Sequence, residues 1–232
     1  MGKRIIQQAR GKGSLTYRVR KKAFRYKVGY PSINEEGEAE IIKIIHSPAH
    51  SAPLMKLKIK NKIFFNPAFN GAYVGQKINI GKKPGIGNIV YLADIPNGSQ
   101  IFNIERNPGD GGKMMRVSGS SAVVLKKEKN NVLIAMPNKK EITLNKSCRA
   151  TLGTVAGEGR TIKPFVTAGK KYYKMKSKSK LWPRTSAVCV NAVDHPFGSG
   201  RGKRIKPKIA KRDAPPGKKV GHLRPKKTGK RK

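Results

Sequence analysis

Acid is scarce in this chain. Across 232 residues, 12 Asp and Glu stand against 52 Lys and Arg, a formal net charge of +40. A soluble protein that works alone gains nothing from such self-repulsion, which opposes compaction. Cysteine is nearly absent too: Cys148 and Cys189 are the only two. That excludes a disulfide framework and points to a reducing compartment. Neither cysteine has a C-x₂₋₄-C partner, and Pro48 between His46 and His50 forbids the regular helix that would align those imidazoles, so a zinc site is disfavoured. No run approaches the roughly 18 apolar residues of a membrane span. Ile5-Ile6 is too short for a signal segment, and Ile6 stands where a myristoylation motif needs Ser or Thr. Hydrophobic residues make up 37% and aromatics 6%, less apolar material than a chain of this length uses in an ordinary core.

The bases are unevenly placed. Residues 1–30 hold ten bases and no acid; residues 163–232 hold 23 bases and two acids, Asp194 and Asp213. The intervening 132 residues hold 19 bases and ten acids, so a mildly basic body lies between two strongly basic extensions. A polyphosphate is the natural partner, because each Lys or Arg set on a phosphate releases condensed counterions. A membrane surface would call for an amphipathic helix or lipid anchor beside the charge, and neither is present.

In the first extension Gly2, Gly11, Gly13 and Gly29 interrupt any long helix. Tyr17, Phe24, Tyr26 and Tyr30 interleave with Arg18, Arg20, Lys21, Lys22, Arg25 and Lys27. Such a mixture serves base stacking with phosphate contact, and equally serves docking of the segment on the body. From Glu38 onward short strands dominate. Glu40–Ile45 reads as one, and Met55–Lys60 alternates apolar and basic residues, one face for a core and one a row of lysines. Asn61-Lys62 turns the chain into Ile63-Phe64-Phe65, and Ile78–Ile80 gives a further strand; together these suggest a small closed barrel. Gly81–Gly87, rich in Gly and Pro, reads as a joint. Beyond it, 90–92, 100–104, 122–125, 132–136 and 141–144 fit a second all-β unit with hairpin turns at Asn130-Asn131 and Pro137-Asn138. Helical periodicity is absent, so at most a turn or two of helix is expected. Residues 201–232, with 15 bases and one acid, lack the apolar surface to fold alone.

Two segments invite chemistry. Pro108-Gly109-Asp110-Gly111-Gly112-Lys113 resembles a phosphate-binding loop, although Met114 stands where a Walker motif needs Ser or Thr. Read functionally, its backbone approaches RNA with Lys113 and Arg116 alongside; read structurally, it is a wide turn. The functional reading is favoured by the charge of the chain. Asn191-Ala192-Val193-Asp194-His195-Pro196-Phe197-Gly198-Ser199-Gly200 offers Asp194, His195 and Ser199 as a triad. Pro196 forces its predecessor extended, and neighbours in an extended chain point to opposite sides, so Asp194 is badly placed to orient His195. A rigid loop that presses on RNA, with His195 on a base or phosphate, is the favoured alternative.

Here the chain resembles a known family. Trp182-Pro183-Arg184 with Asn191-Ala192-Val193-Asp194-His195-Pro196-Phe197-Gly198 is similar to the signature of the universal large-subunit ribosomal protein L-two family. Met1-Gly2-Lys3-Arg4 with Gly11-Lys12-Gly13, Ser51-Ala52-Pro53, Asn103-Ile104-Glu105, Cys148–Gly153, Gly217–His222 and Thr228–Lys232 extend the likeness to nearly the whole chain, in the style of archaeal and eukaryotic members. Ser186-Ala187 replaces the family's usual Arg-Gly, Ser199 replaces a glycine, and 201–208 is shortened. The resemblance implies an all-β protein: a basic N-terminal extension (1–35), an OB-fold barrel (36–84), an SH3-like barrel (85–162) and a basic C-terminal extension (163–232). It implies a structural constituent of the large ribosomal subunit, binding rRNA near the peptidyl-transferase region and supporting subunit association, tRNA binding and translation in the cytoplasm. It implies no enzyme activity of the chain itself and no cofactor beyond Mg²⁺ held by the rRNA. Expected partners are large-subunit rRNA, other ribosomal proteins, the small subunit at its interface and nearby tRNA, with no membrane and no homo-oligomer. The RNA-contacting residues expected are Lys3, Arg4, Arg10, Lys12, Arg18, Arg20, Lys113, Arg116, Arg149, Lys170, Lys171, Trp182, Arg184, Asn191, Asp194, His195, Pro196, Gly198, Gly200, Arg201, Lys218, Lys219 and His222. A DNA-compacting protein is the rival binder, since backbone-only binding suits any duplex. A hydrolase at Asp194 and His195 is the rival enzyme.

Overall fold

The computed structural model describes residues 2–199 and 207–225. The chain is mostly strand with few helices, as expected for an all-β protein. It divides into two compact units, one of residues 20–170 and one that joins residues 1–19 to residues 171–232.

The first unit is built on one ten-stranded sheet. Its strands are β1 (Gly37–Ile45), β2 (Leu54–Ile59), β3 (Lys62–Pro67), β4 (Lys77–Gly81), β5 (Ile89–Tyr91), β6 (Gln100–Phe102), β7 (Ala122–Lys127), β8 (Asn131–Ala135), β9 (Glu141–Asn145) and β10 (Arg149–Leu152). Their order across the sheet is β3-β2-β1-β4-β5-β10-β6-β7-β8-β9, antiparallel except for the β4–β5 pair. In β2 the alternation works as read: Met55, Leu57 and Ile59 are buried while Lys58 is exposed. Lys60 takes a positive φ of 49° in the turn that sets the β2–β3 register.

Two cores flank the sheet. Ile41, Met55, Leu57, Phe64, Phe69 and Ile78 anchor the first; Val90, Leu92, Ile101, Val124, Ile134 and Cys148 anchor the second. The central strands serve both. Ile89 and Phe102 pack in the first core, while their neighbours Val90 and Ile101 pack in the second, because successive side chains alternate faces. The Gly-Pro stretch read as a joint lies between β4 and β5 and is packed: a Cβ on Gly87, at φ +86°, would strike the Phe69 ring. Nor is the segment 20–30 a free arm. Ala23 and Tyr30 are buried, Val28 bridges to Phe65, Tyr26 packs on Phe65 with ring centroids 4.9 Å apart, and Phe24 meets His50 edge-on at 4.9 Å. For these three rings the structure shows docking on the body, with Phe24 still 49% exposed.

The second unit carries α1 (Ile6–Gly11), β11 (Ile209–Ala210) and β12 (His222–Leu223), the last two paired in parallel. The helix α2 (Ala168–Ser177) leads into it. α2 is longer than the turn or two expected. It buries none of its residues, so no apolar stripe marked it in the sequence. What ends it is local: Ser179 at φ +51° lets Lys180 N donate to Met175 O (3.0 Å) and Ser179 N to Lys176 O (3.1 Å), which satisfies two orphan carbonyls. Lys176 also lies 5.5 Å from the centroid of the Tyr172 ring one turn earlier.

Candidate nucleic-acid interface

The glycine loop does not cradle a phosphate, because the chain's own carboxylates already fill it. Gly109, Gly111 and Gly112 all sit near φ +80°, which turns successive amides inward. Asp110 Oδ2 accepts from Arg106 N (3.0 Å) and Asn107 N (3.2 Å), and its Oδ1 from Gly112 N (3.0 Å). Glu105 accepts from Gly109 N (3.3 Å) and Gly111 N (3.1 Å). The favoured reading of this loop as an RNA cradle is therefore corrected: it is an anion nest occupied from within. Lys113 remains exposed beside it.

Arg149 is the second correction. It was expected on RNA, but its side chain is 3% exposed and pairs with a Glu105 side chain of 0% exposure. Glu105 accepts from Arg149 N (2.8 Å), Nε (3.3 Å) and Nη2 (2.9 Å). The guanidinium lies 5.3 Å from the centroid of the Tyr30 ring. Tyr30 in turn donates its hydroxyl to Asn103 O at 2.7 Å and shares a hydrogen bond with Thr151 Oγ1; burial pushes its pKa above the usual tyrosine range. Arg116 is also structural. Its Nε donates to Asn103 Oδ1 (2.7 Å) and its Nη2 to the carbonyls of Val28, Gly111 and Gly112. Glu105 and Asp110 were missed as organisers. The signal was available, since two of the body's few acids stand within a loop of glycines.

Most other expected contacts are exposed. Arg20 and Lys170 belong to the first unit and are exposed, as are Lys3, Arg4, Arg10, Lys12, Arg18, Arg184, Lys218, Lys219 and His222 in the second. There Lys171 Nζ stands 5.1 Å from the centroid of the half-buried Trp182 ring. Gly200 and Arg201 lie outside the described residues, as do most of the shortened 201–208 stretch and the motif 228–232.

The loop 191–199 is closed by a bridge between Asn191 and Ser199. Gly198 is buried, and a Cβ there would strike the Asn191 carbonyl, so this glycine serves the loop's own closure. His195 Nδ1 accepts from Phe197 N at 3.0 Å, which leaves Nε2 to carry the proton of the neutral ring. Asp194 pairs elsewhere, with Lys3 Nζ at 3.5 Å. A triad needs the carboxylate on the ring nitrogen, and here a backbone amide holds that place. Residues of the N-terminus complete the loop's surroundings: Lys3 N donates to Val193 O (2.8 Å), and Ile5 is 5% exposed. Among the described residues, no group of three or more His, Cys, Asp or Glu could hold a metal, and no helix is long and apolar enough to cross a membrane.

Residues 85–217 match the family model described as Ribosomal Proteins L2, C-terminal domain. A protein of Archaeoglobus fulgidus is 45% identical over 236 residues, with 99% of each chain covered. The chain belongs to the ribosomal protein L2 family. A Natronomonas pharaonis relative is 44% identical across 99% of this chain and 97% of its own, and one from Methanococcoides burtonii is 43% identical over the full length of both. All three are named large ribosomal subunit protein uL2. For an L2-family chain, the match from end to end takes in both terminal extensions as well as the sheet.

Proposed function

We propose that this chain is a structural constituent of the large ribosomal subunit that binds rRNA near the peptidyl-transferase region. The observation that carries the reading is the end-to-end identity with proteins named for that subunit. The charge distribution supports it: the unit made from the two termini holds 26 bases and two acids, against 26 bases and ten acids in residues 20–170, and each phosphate contact adds counterion release. In this reading β1–β4 and β5–β10 correspond to an OB-fold barrel (36–84) and an SH3-like barrel (85–162), a rigid platform between basic extensions at 1–35 and 163–232. The loop of His195 then organises RNA that carries the peptidyl-transfer chemistry, and the chain itself is no enzyme. Other ribosomal proteins are partners. Subunit association and tRNA binding depend on it indirectly, and any Mg²⁺ at the interface belongs to the rRNA. Sucrose-gradient sedimentation of a tagged copy, with crosslinking to rRNA, tests this. Co-sedimentation with large subunits is expected; absence from them overturns the proposal, and equal affinity for duplex DNA at matched salt favours the DNA-compacting rival.

A further inference from the structure

Beside the 191–199 loop, the second unit holds a cavity of about 280 Å³. Ile6, Ala187 and Val190 give it apolar walls; Arg4 and Arg184 bring cations and Asp194 a carboxylate. Small-molecule sites start at roughly 300 Å³, so this space takes one heterocycle and not a base pair. Its rim suits a phosphate, since guanidinium groups bind phosphate oxygens in pairs. Among the described residues the ion-pair partner of Asp194 is Lys3 Nζ, 3.5 Å from Oδ1, and the carboxyl side chain is 42% exposed. A carboxylate has about four lone-pair sites, so a ligand still has oxygens to address.

We propose that this cavity receives a single unstacked guanosine of the rRNA, its base read by Asp194 and its phosphates held by Arg184 and Arg4. The inference rests on the RNA-binding role argued above and names the chemistry of one contact within it. Unstacked nucleotides are how proteins read RNA sequence. The base follows from the carboxylate. Guanine alone offers two adjacent donors, N1–H and N2–H, to two acceptor oxygens. Adenine and cytosine set a ring acceptor beside their amine, which the second oxygen would repel, and uracil offers one N–H between two carbonyls. The rRNA, not a free nucleotide, is the source the surroundings favour: Arg10 and Lys12 continue the exposed positive surface along the N-terminal segment, which suits a continuous phosphate chain.

The test uses assembled large subunits carrying either the unaltered chain or Asp194→Asn. They are treated with a dicarbonyl reagent that adducts guanine N1 and N2, and with dimethyl sulfate for adenine and cytosine. One guanosine, protected in the unaltered subunits, should gain about 10-fold in reactivity in the variant, the scale of one lost paired contact. Arg184→Ala should expose the same nucleotide. No change at any guanosine, or change confined to adenosine and cytidine, overturns the assignment; if the variant still sediments with the subunit, the ribosomal role stands without it. If Asp194→Asn never enters subunits, the free full-length chain is titrated with GMP, IMP and AMP, reading Trp182 fluorescence. The three carry equal charge, so tighter binding of GMP by about 10-fold supports the site, and equal affinities overturn it. Tight GMP binding with no protected guanosine in the subunit overturns the assignment to rRNA.

Discussion

At the scale of single residues, the informative side chain is a carboxylate in a chain that has few. Glu105 accepts five hydrogen bonds, from Gly109, Gly111 and three nitrogens of Arg149. Removing one partner of a buried ion pair costs about 3–5 kcal/mol, because the other charge is left buried and alone. Glu105→Gln should therefore lower the unfolding free energy of the full chain by that order, read from urea titrations followed by far-UV circular dichroism. Lys113→Ala, on the exposed edge of the same loop, should change it by less than about 0.5 kcal/mol. Equal effects would show that the loop does not depend on the pair. The two cysteines separate in the same way. Burial, aided by the nearby charges of Glu105 and Asp110, pushes the Cys148 thiol up to about 11, while Cys189 is exposed. Iodoacetamide at pH 8 should label Cys189 and spare Cys148, with both labelled in urea, as mass spectrometry would read. The raised thiol binds its proton more tightly folded than unfolded, so its share of stability is full below pH 9 and is lost as pH rises through about 11. Cys148→Ala should flatten that alkaline slope in urea midpoints measured from pH 8 to 11.

At the scale of elements, strands with one wet face were legible and the rest were not. β2, β8 and β9 followed from alternation and turn residues. β10 did not, because all four of its residues are buried and two of them, Arg149 and Thr151, are polar, so it has neither alternation nor an apolar run. Arg149 looked like an RNA contact for the same reason: no local pattern tells a solvated arginine from one whose partner stands 44 residues earlier. α2 escaped because its end is set by the backbone at Ser179 and not by a hydrophobic stripe. The 191–199 segment was legible as a rigid loop, yet what holds it came from the far end of the chain. Lys3 N on Val193 O, the Lys3–Asp194 pair and buried Ile5 are that support. One hydrogen bond and one buried isoleucine are together worth about 2–4 kcal/mol. Deleting residues 2–8 should speed hydrogen exchange at the amides of Asp194, His195 and Gly198 by about 10-fold or more, while protection across β1–β10 stays unchanged. Unaltered exchange at those amides would mean the loop supports itself.

At the scale of the whole molecule, charge decides what the protein can bind and burial decides which charges count. The net +40 is not spread over an even surface. Inside the sheet unit, Glu105 and Asp110 hold backbone amides and a guanidinium that would otherwise seek outside anions, while residues 20–170 as a whole hold 26 bases against ten acids. Residues 1–19 and 171–232 hold 26 bases and only two acids, and most of their cations among the described residues are exposed. Affinity for an rRNA fragment should then fall by roughly 10³–10⁵ between 50 and 200 mM salt, for about ten phosphate contacts. Removing residues 201–232 takes away 15 bases, so the slope of log affinity against log salt should shrink by several units, each lost contact being worth about 0.7–0.9. Arg149→Met should leave that slope as it is, because a side chain 3% exposed and paired with Glu105 displaces no counterion when RNA binds. Filter-binding titrations at four salt concentrations separate the two cases. A slope that ignores the tail, or one that responds to Arg149 in a chain that remains folded, would mean that the exposed termini are not where the phosphates are met.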